Sequence, residues 1–271
     1  MFSVGEDNFL IFHTWLIDRH FNNDMAGRPH IYDLNKHVKK ELVLDRPMQR
    51  AEINWIPLDL NGELYFTYSL DPLRVAKCDT KSGQCRFVFE QKGADRQPFV
   101  YSSDHLRGGT PWVLYKYPYY ISVAHSVLVT KKPLDSFSVY NANIVVLCVD
   151  PWRVVYVSRN IKLHPDWLNS SPLIRKHTIT SPFFYPSGII MWSDDVIDIS
   201  GHLSDADGHI VRMRGLKKLI KGVIDRDRRN RNGTVAVVRT SQQYLIESMK
   251  QDVAADWVFF GDIIAGTVES S

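Results

Sequence analysis

Short runs of aromatic and β-branched residues, separated by polar turns, recur about four times along the chain and predict antiparallel strand pairs. The clearest copy has Asn61-Gly62 between two alternating segments, 54–58 and 64–69. An Asn-Gly pair in that setting is the strongest short-range signal for a hairpin. The other copies lie within 8–33, 109–157 and 184–212. A spacing of roughly 55 to 75 residues is typical of four-stranded blades with decorated loops, so the pattern predicts a β-propeller. A β-sandwich remains the alternative, because strand patterns alone do not distinguish blades from stacked sheets.

Helical periodicity is confined mainly to two stretches after the last repeat, Leu216–Ile224 and Gln242–Gln251. We therefore predict a β-propeller over residues 1–212 and a short, partly helical C-terminal tail over 213–271 that packs on it. At 271 residues with 44% hydrophobic content, the chain is long and apolar enough to bury a full core. All-β folds of this length often form a single unit.

The charge pattern gives no sign of a nucleic-acid partner. The 33 basic and 30 acidic residues are largely interspersed, and the formal net charge is only +3. No apolar stretch approaches the roughly 20 residues that span a bilayer, so we expect a soluble chain without a membrane span. The sequence does not tell whether the chain works in the cytoplasm or in the lumen of the secretory pathway. It also leaves open whether the chain forms a homo-oligomer.

Two features bear on the compartment without deciding it. Cys78 and Cys85 flank a predicted hairpin turn, where they either pair across it or remain reduced. Asn169 and Asn232 begin Asn-x-Ser/Thr sequons, which are glycosylated only in secreted proteins. Both features suit a secretory compartment, and both also occur by chance.

Signatures of several large enzyme classes are absent from the sequence. It contains no Gly-rich phosphate loop followed by Lys-Ser/Thr, no dinucleotide fingerprint, and no Cys/His spacing suited to zinc. No Gly-x-Ser-x-Gly elbow occurs either. We therefore exclude P-loop nucleotide-binding proteins, dinucleotide-binding proteins, zinc proteins and serine hydrolases of the Gly-x-Ser-x-Gly type.

A series of short motifs, spread over about residues 5 to 215, follows the repeats in order. They are Gly5-Glu6-Asp7, Glu52-Ile53-Asn54-Trp55-Ile56-Pro57, Arg107-Gly108-Gly109-Thr110-Pro111, Ala124-His125-Ser126, Tyr185-Pro186-Ser187-Gly188 and Ser204-Asp205-Ala206-Asp207-Gly208. This order resembles the five-bladed propellers of the β-mannoside phosphorylases, glycoside hydrolase family 130, and the related β-1,2-mannosyltransferases. The sequence departs from that family at Phe9 and Ile53, where basic residues are expected, and four repeats are evident where the family has five blades.

The resemblance implies an inverting transfer at the anomeric carbon of mannose. The substrates would be a mannose-containing sugar and a sugar phosphate or sugar nucleotide, namely mannose 1-phosphate or GDP-mannose. No metal and no organic cofactor is expected. Such a transfer needs one acidic group at the glycosidic oxygen, and phosphate or a sugar hydroxyl supplies the nucleophile.

The resemblance also assigns roles to particular residues. Asp33 ends an apolar strand, matches the family's catalytic aspartate, and would act as general acid or base. Arg107 and His125 would bind phosphate, because a guanidinium and an imidazole both suit phosphate oxygens. Glu6, Asp7, Asn54, Tyr185 and Asp205 would bind the sugar. Each residue also has an ordinary structural interpretation: turn carboxylates for the aspartates, a bulged turn at Arg107 and a core histidine at His125.

Two other functions stay open at this point. The lost basic residues at Phe9 and Ile53 also suit a catalytically silent propeller that binds glycans or a protein. A propeller glycosidase of another family would need a second carboxylate, for which Asp7 or Asp205 is available.

Overall fold

Alternating apolar and polar residues form four sheets that follow one another along the chain in this computed structural model. The structure describes residues 1–18, 24–50, 52–91, 105–131, 136–161, 163, 183–205 and 207–230. The arrangement is all-β and propeller-like, with four blades. Within the described ranges there is no fifth sheet, so the five-bladed expectation is not met there.

Sheet 1 has the order β1-β2-β3-β4 and is antiparallel throughout. Its strands are β1 (Phe2–Val4), β2 (Asp7–Asp18), β3 (Asp24–Asp33) and β4 (Val38–Glu41). Sheet 2 has the order β5-β9-β8-β7-β6, and its strands are β5 (Val43–Leu44), β6 (Ile56–Leu60), β7 (Glu63–Leu70), β8 (Leu73–Cys78) and β9 (Gln84–Glu90). The turn at Asn61-Gly62 joins β6 and β7, as the sequence predicts. Both of its residues have positive φ, which suits Asn and Gly in such a turn.

Sheet 3 is built on one long hairpin, with β10 and β11 both paired to β12. Its strands are β10 (His105–Arg107), β11 (Val113–Lys116), β12 (Tyr119–Lys131), β13 (Ser136–Val149) and β14 (Trp152–Val157). Sheet 4 has three strands, β15 (Phe184–Met191), β16 (Val196–Leu203) and β17 (Asp207–Arg214). The helix α1 (Leu216–Asn230) follows it. Among the described residues, no helix combines the length and apolar character needed to cross a bilayer.

Consecutive sheets pack against each other in chain order, with a separate apolar core in each interface. One core lies between sheets 1 and 2 and includes Phe9, Ile31 and Phe66. A second joins sheets 2 and 3, and the third joins sheets 3 and 4 with the buried face of α1. Phe9, which replaces a basic residue of the resembled family, is only 2% exposed and serves this packing.

The predicted helix at Leu216–Ile224 is confirmed, and it is longer than the pattern indicated. Its apolar residues Leu216, Ile220, Val223 and Ile224 are buried against sheets 3 and 4. The second predicted helical stretch, Gln242–Gln251, lies outside the described residues, as do both sequons. The domain boundary at 212/213 stays a prediction.

Cys78 and Cys85 form a disulfide, which settles the question left open by the sequence. They stand directly opposite each other on β8 and β9, on either side of the turn that holds Asp79 and Gly83. Both are buried, and Cys148 is a buried cysteine that takes no part in a disulfide.

Candidate functional site

The functional residues predicted from the sequence divide between the two ends of the sheets. One end, which we call the pocket end, carries Glu52, Leu70 and Arg107, and these line the same pocket. The opposite end carries the turns at Gly5, Asp33 and Asp59. The amide of Gly5 donates a 3.2 Å hydrogen bond to the Asp59 carboxylate, which joins the turns of sheets 1 and 2 at that end.

Asp33 lies at the opposite end, away from Arg107 and His125. The β3–β4 turn begins at Asp33, and its Oδ1 accepts hydrogen bonds from the amides of Asn35 and Lys36, both at 2.9 Å. Gly27, six residues earlier on the same strand, contacts the segment of Glu52. At about 3.3 Å per residue, this places Asp33 about 20 Å from the pocket end. The expectation of one pocket holding Asp33, Arg107 and His125 is therefore not met.

The charges around Asp33 form a structural ion-pair cluster. Lys36 Nζ contacts Asp33 Oδ2 at 3.0 Å and Asp7 Oδ2 at 2.7 Å. Burial raises the pKa of the Asp33 carboxyl, but the hydrogen bonds and charge of Lys36 and the Asn35 amide outweigh this, so the net pKa lies below its ordinary value. A carboxylate held in its charged form in this way suits a turn better than proton transfer.

Glu6 and Asp7 also lie at the opposite end. Glu6 is exposed in the β1–β2 turn, and Asp7 starts β2 and pairs with Lys36. Neither lines the pocket that holds Arg107, so the structure does not bring these two predicted sugar-binding residues together with the predicted phosphate-binding Arg107.

The pocket lies between the 49–55 segment, the end of β7 and β10. It is lined by Gln49, Glu52, Ile53, Asn54, Trp55, Thr67, Tyr68, Ser69, Leu70, Asp71, Leu106, Arg107 and Gly108. Two predicted residues, Asn54 and Arg107, are among these. Ile53, the second departure from the resembled family, also lines it, so an aliphatic side chain stands where a basic one was expected.

Two glycines beside this pocket allow close contact between backbone segments. A Cβ on Gly108 would lie 2.0 Å from the carbonyl oxygen of Asn54, and a Cβ on Gly109 would lie 2.1 Å from that of Val123. Asn54 itself has φ of 67°, a left-handed conformation that Asn tolerates better than most residues. The Arg107-Gly108-Gly109 motif therefore seats the 52–55 segment against β10.

Glu52 is a buried acidic residue of the pocket, which is also lined by Asp71, and the sequence analysis did not single Glu52 out. Its side chain accepts hydrogen bonds from the Gln49 amide, from Trp55 Nε1 at 3.3 Å and from the Tyr68 hydroxyl at 3.3 Å. Burial raises the pKa of the Glu52 carboxyl, an effect that these hydrogen bonds and the nearby charge of Arg28 only partly offset. Glu52 stands in the quoted Glu52-Ile53-Asn54-Trp55 motif, and that motif was the available signal.

Tyr185 belongs to the walls of the site. Its hydroxyl donates a 3.1 Å hydrogen bond to Oδ1 of Asn54. One face of its ring packs on His125, at 4.5 Å between centroids, and the ring stacks on His202 at 4.9 Å with an interplanar angle of 8°. Tyr185 thus contacts His125, His202 and Asn54, and its predicted sugar contact stays a prediction.

His125 is a core histidine. It is 2% exposed and pairs with Arg107 across β10 and β12. Burial lowers the pKa of its imidazole to about 3, and the charge of Arg107 acts in the same direction. A neutral, buried ring contributes no positive charge to phosphate but can still donate one hydrogen bond, so the phosphate contact of His125 stays a prediction.

Asp205 lies at the edge of the ring stack. Its Oδ1 is 3.1 Å from Nδ1 of His202, and its side chain is largely exposed in the β16–β17 turn. It therefore reaches the pocket only through His202 and Tyr185. The register of β15 and β16 pairs Tyr185 with His202, a contact that the sequence reasoning did not anticipate.

The described residues contain no group of three or more His, Cys, Asp or Glu side chains placed to hold a metal ion. The polar groups that line the pocket are instead two carboxyls, one guanidinium, two side-chain amides and hydroxyls. This set suits hydrogen bonding to sugar hydroxyls and binding of one anionic group.

Comparison with known proteins finds local similarity to yeast enzymes. The chain is 33% identical over 112 residues to "Beta-mannosyltransferase 2" of Komagataella phaffii, which covers 40% of this chain and 16% of that protein. "Beta-mannosyltransferase 1" of the same yeast is 34% identical over 88 residues, 29% of this chain and 12% of the relative. "Beta-mannosyltransferase 3" is 40% identical over 67 residues, 24% of this chain and 10% of the relative. No family model matches the chain.

These matches support the mannosyltransferase side of the resemblance in part. The matched stretches span only a small share of the relatives' length, at most 16% in the three comparisons above. Membership of glycoside hydrolase family 130 is not confirmed by them, and no comparison supports a phosphorylase.

Proposed function

We propose that this chain carries out β-mannosyl transfer at the pocket lined by Glu52, Asn54, Tyr68 and Arg107. The observation that carries the proposal is the coincidence of two independent findings. The chain has local similarity to three β-mannosyltransferases, and its pocket holds a buried carboxyl beside a guanidinium. The activity of the complete relatives is extended to this chain only as part of this proposal.

In the proposed reaction, a hydroxyl oxygen of the acceptor sugar attacks the anomeric carbon of a mannosyl donor. The new C–O bond forms on the face opposite the bond that breaks, so the configuration inverts. The leaving group departs as a phosphate or nucleoside diphosphate, and Arg107 stabilises its negative charge. The proton of the acceptor hydroxyl passes to the Glu52 carboxylate.

Glu52 suits the role of general base for a physical reason. A base works best when its pKa is close to the working pH, and burial moves the pKa of Glu52 upward from its ordinary value of 4.5. The Tyr68 hydroxyl and Trp55 Nε1 donate hydrogen bonds to the carboxylate, which fixes its orientation.

The test incubates the purified chain with a mannoside acceptor and, in separate reactions, with GDP-mannose or mannose 1-phosphate. We expect a new β-anomeric proton signal by nuclear magnetic resonance with the sugar nucleotide. Product from mannose 1-phosphate alone would replace the transferase by a phosphorylase. Absence of product with both donors, under conditions where the chain is folded, would contradict the proposal.

A second candidate is a glycan-binding protein without transfer activity, and Ile53 favours it. This aliphatic side chain lines the pocket where the resembled family has a basic residue, so the pocket has one fewer group for an anionic leaving group. Calorimetry distinguishes the two candidates. A silent binding protein takes up mannosides with no heat from GDP-mannose, whereas the transferase binds both.

A further inference from the structure

The β2–β3 hairpin exposes four large apolar side chains next to the pocket end, and three of them share one face, whereas Leu16, which is 48% exposed, lies on the other face. Trp15 is 49% exposed, Ile17 is 74% exposed and Met25 is 49% exposed. In the register of the hairpin, Ile17 stands opposite Met25, and Trp15 stands opposite Gly27. Directly opposed residues share one face of a sheet, so the three side chains form one surface, which we call the hairpin platform.

The hairpin platform faces the side of sheet 1 on which sheet 2 lies. Residues two apart on a strand point to the same face, so Trp15 and Ile17 share theirs with Phe9 and Ile11. Phe9 belongs to the apolar core between sheets 1 and 2, and Ile11 packs against that core. Beyond that core, at the pocket end, the same face continues as the hairpin platform.

The platform is also close to Glu52 across the strands. The amide of Gly27 donates to the carbonyl of Arg50 at 2.8 Å, and the amide of Glu52 donates to the carbonyl of Gly27 at 3.1 Å. The segment that contains Glu52 therefore lies along one edge of β3, and β2 lies along the other edge. Trp15 is two strand spacings from that segment, about 10 Å in the hydrogen-bonding direction.

A flat indole beside a glycine suits a sugar ring better than a protein side chain. Gly27, opposite Trp15, has no side chain to cover the indole. A β-linked mannose presents three C–H groups on one face of its ring, and this apolar face packs on aromatic rings. None of the three platform side chains is charged, so their contacts would be made with such an apolar face.

From this arrangement we propose that the hairpin platform binds the acceptor, a β-linked mannooligosaccharide, through sugars beyond the one held in the pocket. The proposal rests on the proposed mannosyl transfer and names its acceptor class. The distance between Trp15 and the Glu52 segment requires an oligosaccharide, since a single mannose in the pocket does not extend to the hairpin.

The test measures the affinity of the full chain for mannose and for β-mannooligosaccharides of two to four sugars by calorimetry. Trp15→Ala is compared with Trp15→Tyr, which restores a flat ring, and with Trp192→Ala. Trp192 is the matched control, because it is 63% exposed but lies on sheet 4, where it bonds to Asp198. We expect Trp15→Ala to lower affinity for the tetrasaccharide about tenfold, with Trp15→Tyr recovering much of it and mannose unaffected.

Other outcomes would contradict the proposed role of the hairpin platform. If Trp15→Ala and the wild-type chain bind oligosaccharides of every length with equal affinity, the proposed role of the hairpin platform is wrong, whereas the proposed mannosyl transfer is unaffected. If Trp15→Ala instead changes only the sedimentation of the chain, the surface binds another protein copy and not a glycan. If the wild-type chain binds no mannoside of any length, both the platform and the proposed function are contradicted.

Discussion

The Tyr185 hydroxyl donates a 3.1 Å hydrogen bond to Oδ1 of Asn54, and this bond joins sheet 4 to the segment that precedes β6 of sheet 2. The two residues are 131 positions apart in the chain. Burial raises the pKa of Tyr185 to about 12, so the hydroxyl keeps its proton and remains a donor near neutral pH. A side chain from the last sheet thereby fixes an amide that lines the pocket.

Tyr185→Phe should weaken both the fold and the pocket. The substitution leaves the ring stack in place and removes one largely buried hydrogen bond, which we expect to lower the free energy of unfolding by about 1 kcal/mol. Urea denaturation measures this change. Tyr117→Phe is the control, because Tyr117 is 58% exposed in the β11–β12 turn. Equal unfolding midpoints for the two variants would show that the Asn54 contact contributes nothing to stability.

Gly108→Ala should disturb the pocket without changing any polar group in it. The added methyl would lie 2.0 Å from the Asn54 carbonyl and 2.8 Å from Ile56 Cγ1, so the 52–55 segment has to move. We expect a loss of roughly 1–3 kcal/mol in stability, typical of overpacking, together with weaker mannoside binding. Gly208→Ala, with open space around the new methyl, should leave both unchanged. Normal binding by the Gly108 variant would mean that the pocket tolerates that movement.

The sequence predicted local features better than their relative positions. The Asn61-Gly62 pair predicted the β6–β7 hairpin, and the apolar spacing of 216–224 predicted the start of α1. Both structural features depend mainly on residues that are neighbours in the chain. The position of Asp33 depends on how many turns precede it, since each hairpin reverses the chain and moves the next turn to the other end. An alternating pattern shows that Asp33 ends a strand, but not at which end of the sheet.

The rest of the site could not be predicted for a related reason. Tyr185 reaches Asn54 only because four sheets pack in order, and no local pattern encodes that contact. His125 was expected to hold phosphate, but its environment is created by Tyr185 and by burial between strands. Glu52 was visible as part of a motif, yet its raised pKa depends on tertiary packing around it.

Asp33→Asn should affect stability in a pH-dependent way. A carboxyl whose pKa is lowered in the folded state stabilises the fold above its unfolded pKa, and this contribution is lost as pH falls through the folded value. The variant should therefore be less stable than wild type at neutral pH, and the two should become equally stable once acid has protonated Asp33 in both the folded and the unfolded state of the wild type. Chemical denaturation at several pH values tests this. A constant difference across the range would exclude the Lys36 contacts as its origin.

Cysteine labelling tests the Cys78–Cys85 bond directly. With all three cysteines made accessible by denaturant, an alkylating reagent should label one thiol, Cys148, without reductant and three after reduction. Mass spectrometry counts the labels. Three labels before reduction, in protein purified from an oxidising compartment with thiols blocked at lysis, would mean that the cysteines remain reduced.

The most direct measurement of the central claim compares the rate of β-mannosyl transfer from GDP-mannose by Glu52→Gln and Asp33→Asn, with the folded fraction of each variant checked by circular dichroism. If the pocket end performs the reaction, Glu52→Gln loses activity by a factor of about 100 or more, as expected for removal of a general base. Asp33→Asn then retains activity in proportion to its folded fraction. The opposite ranking, with activity abolished by Asp33→Asn and retained by Glu52→Gln, would contradict the account and return the reaction to the opposite end of the sheets.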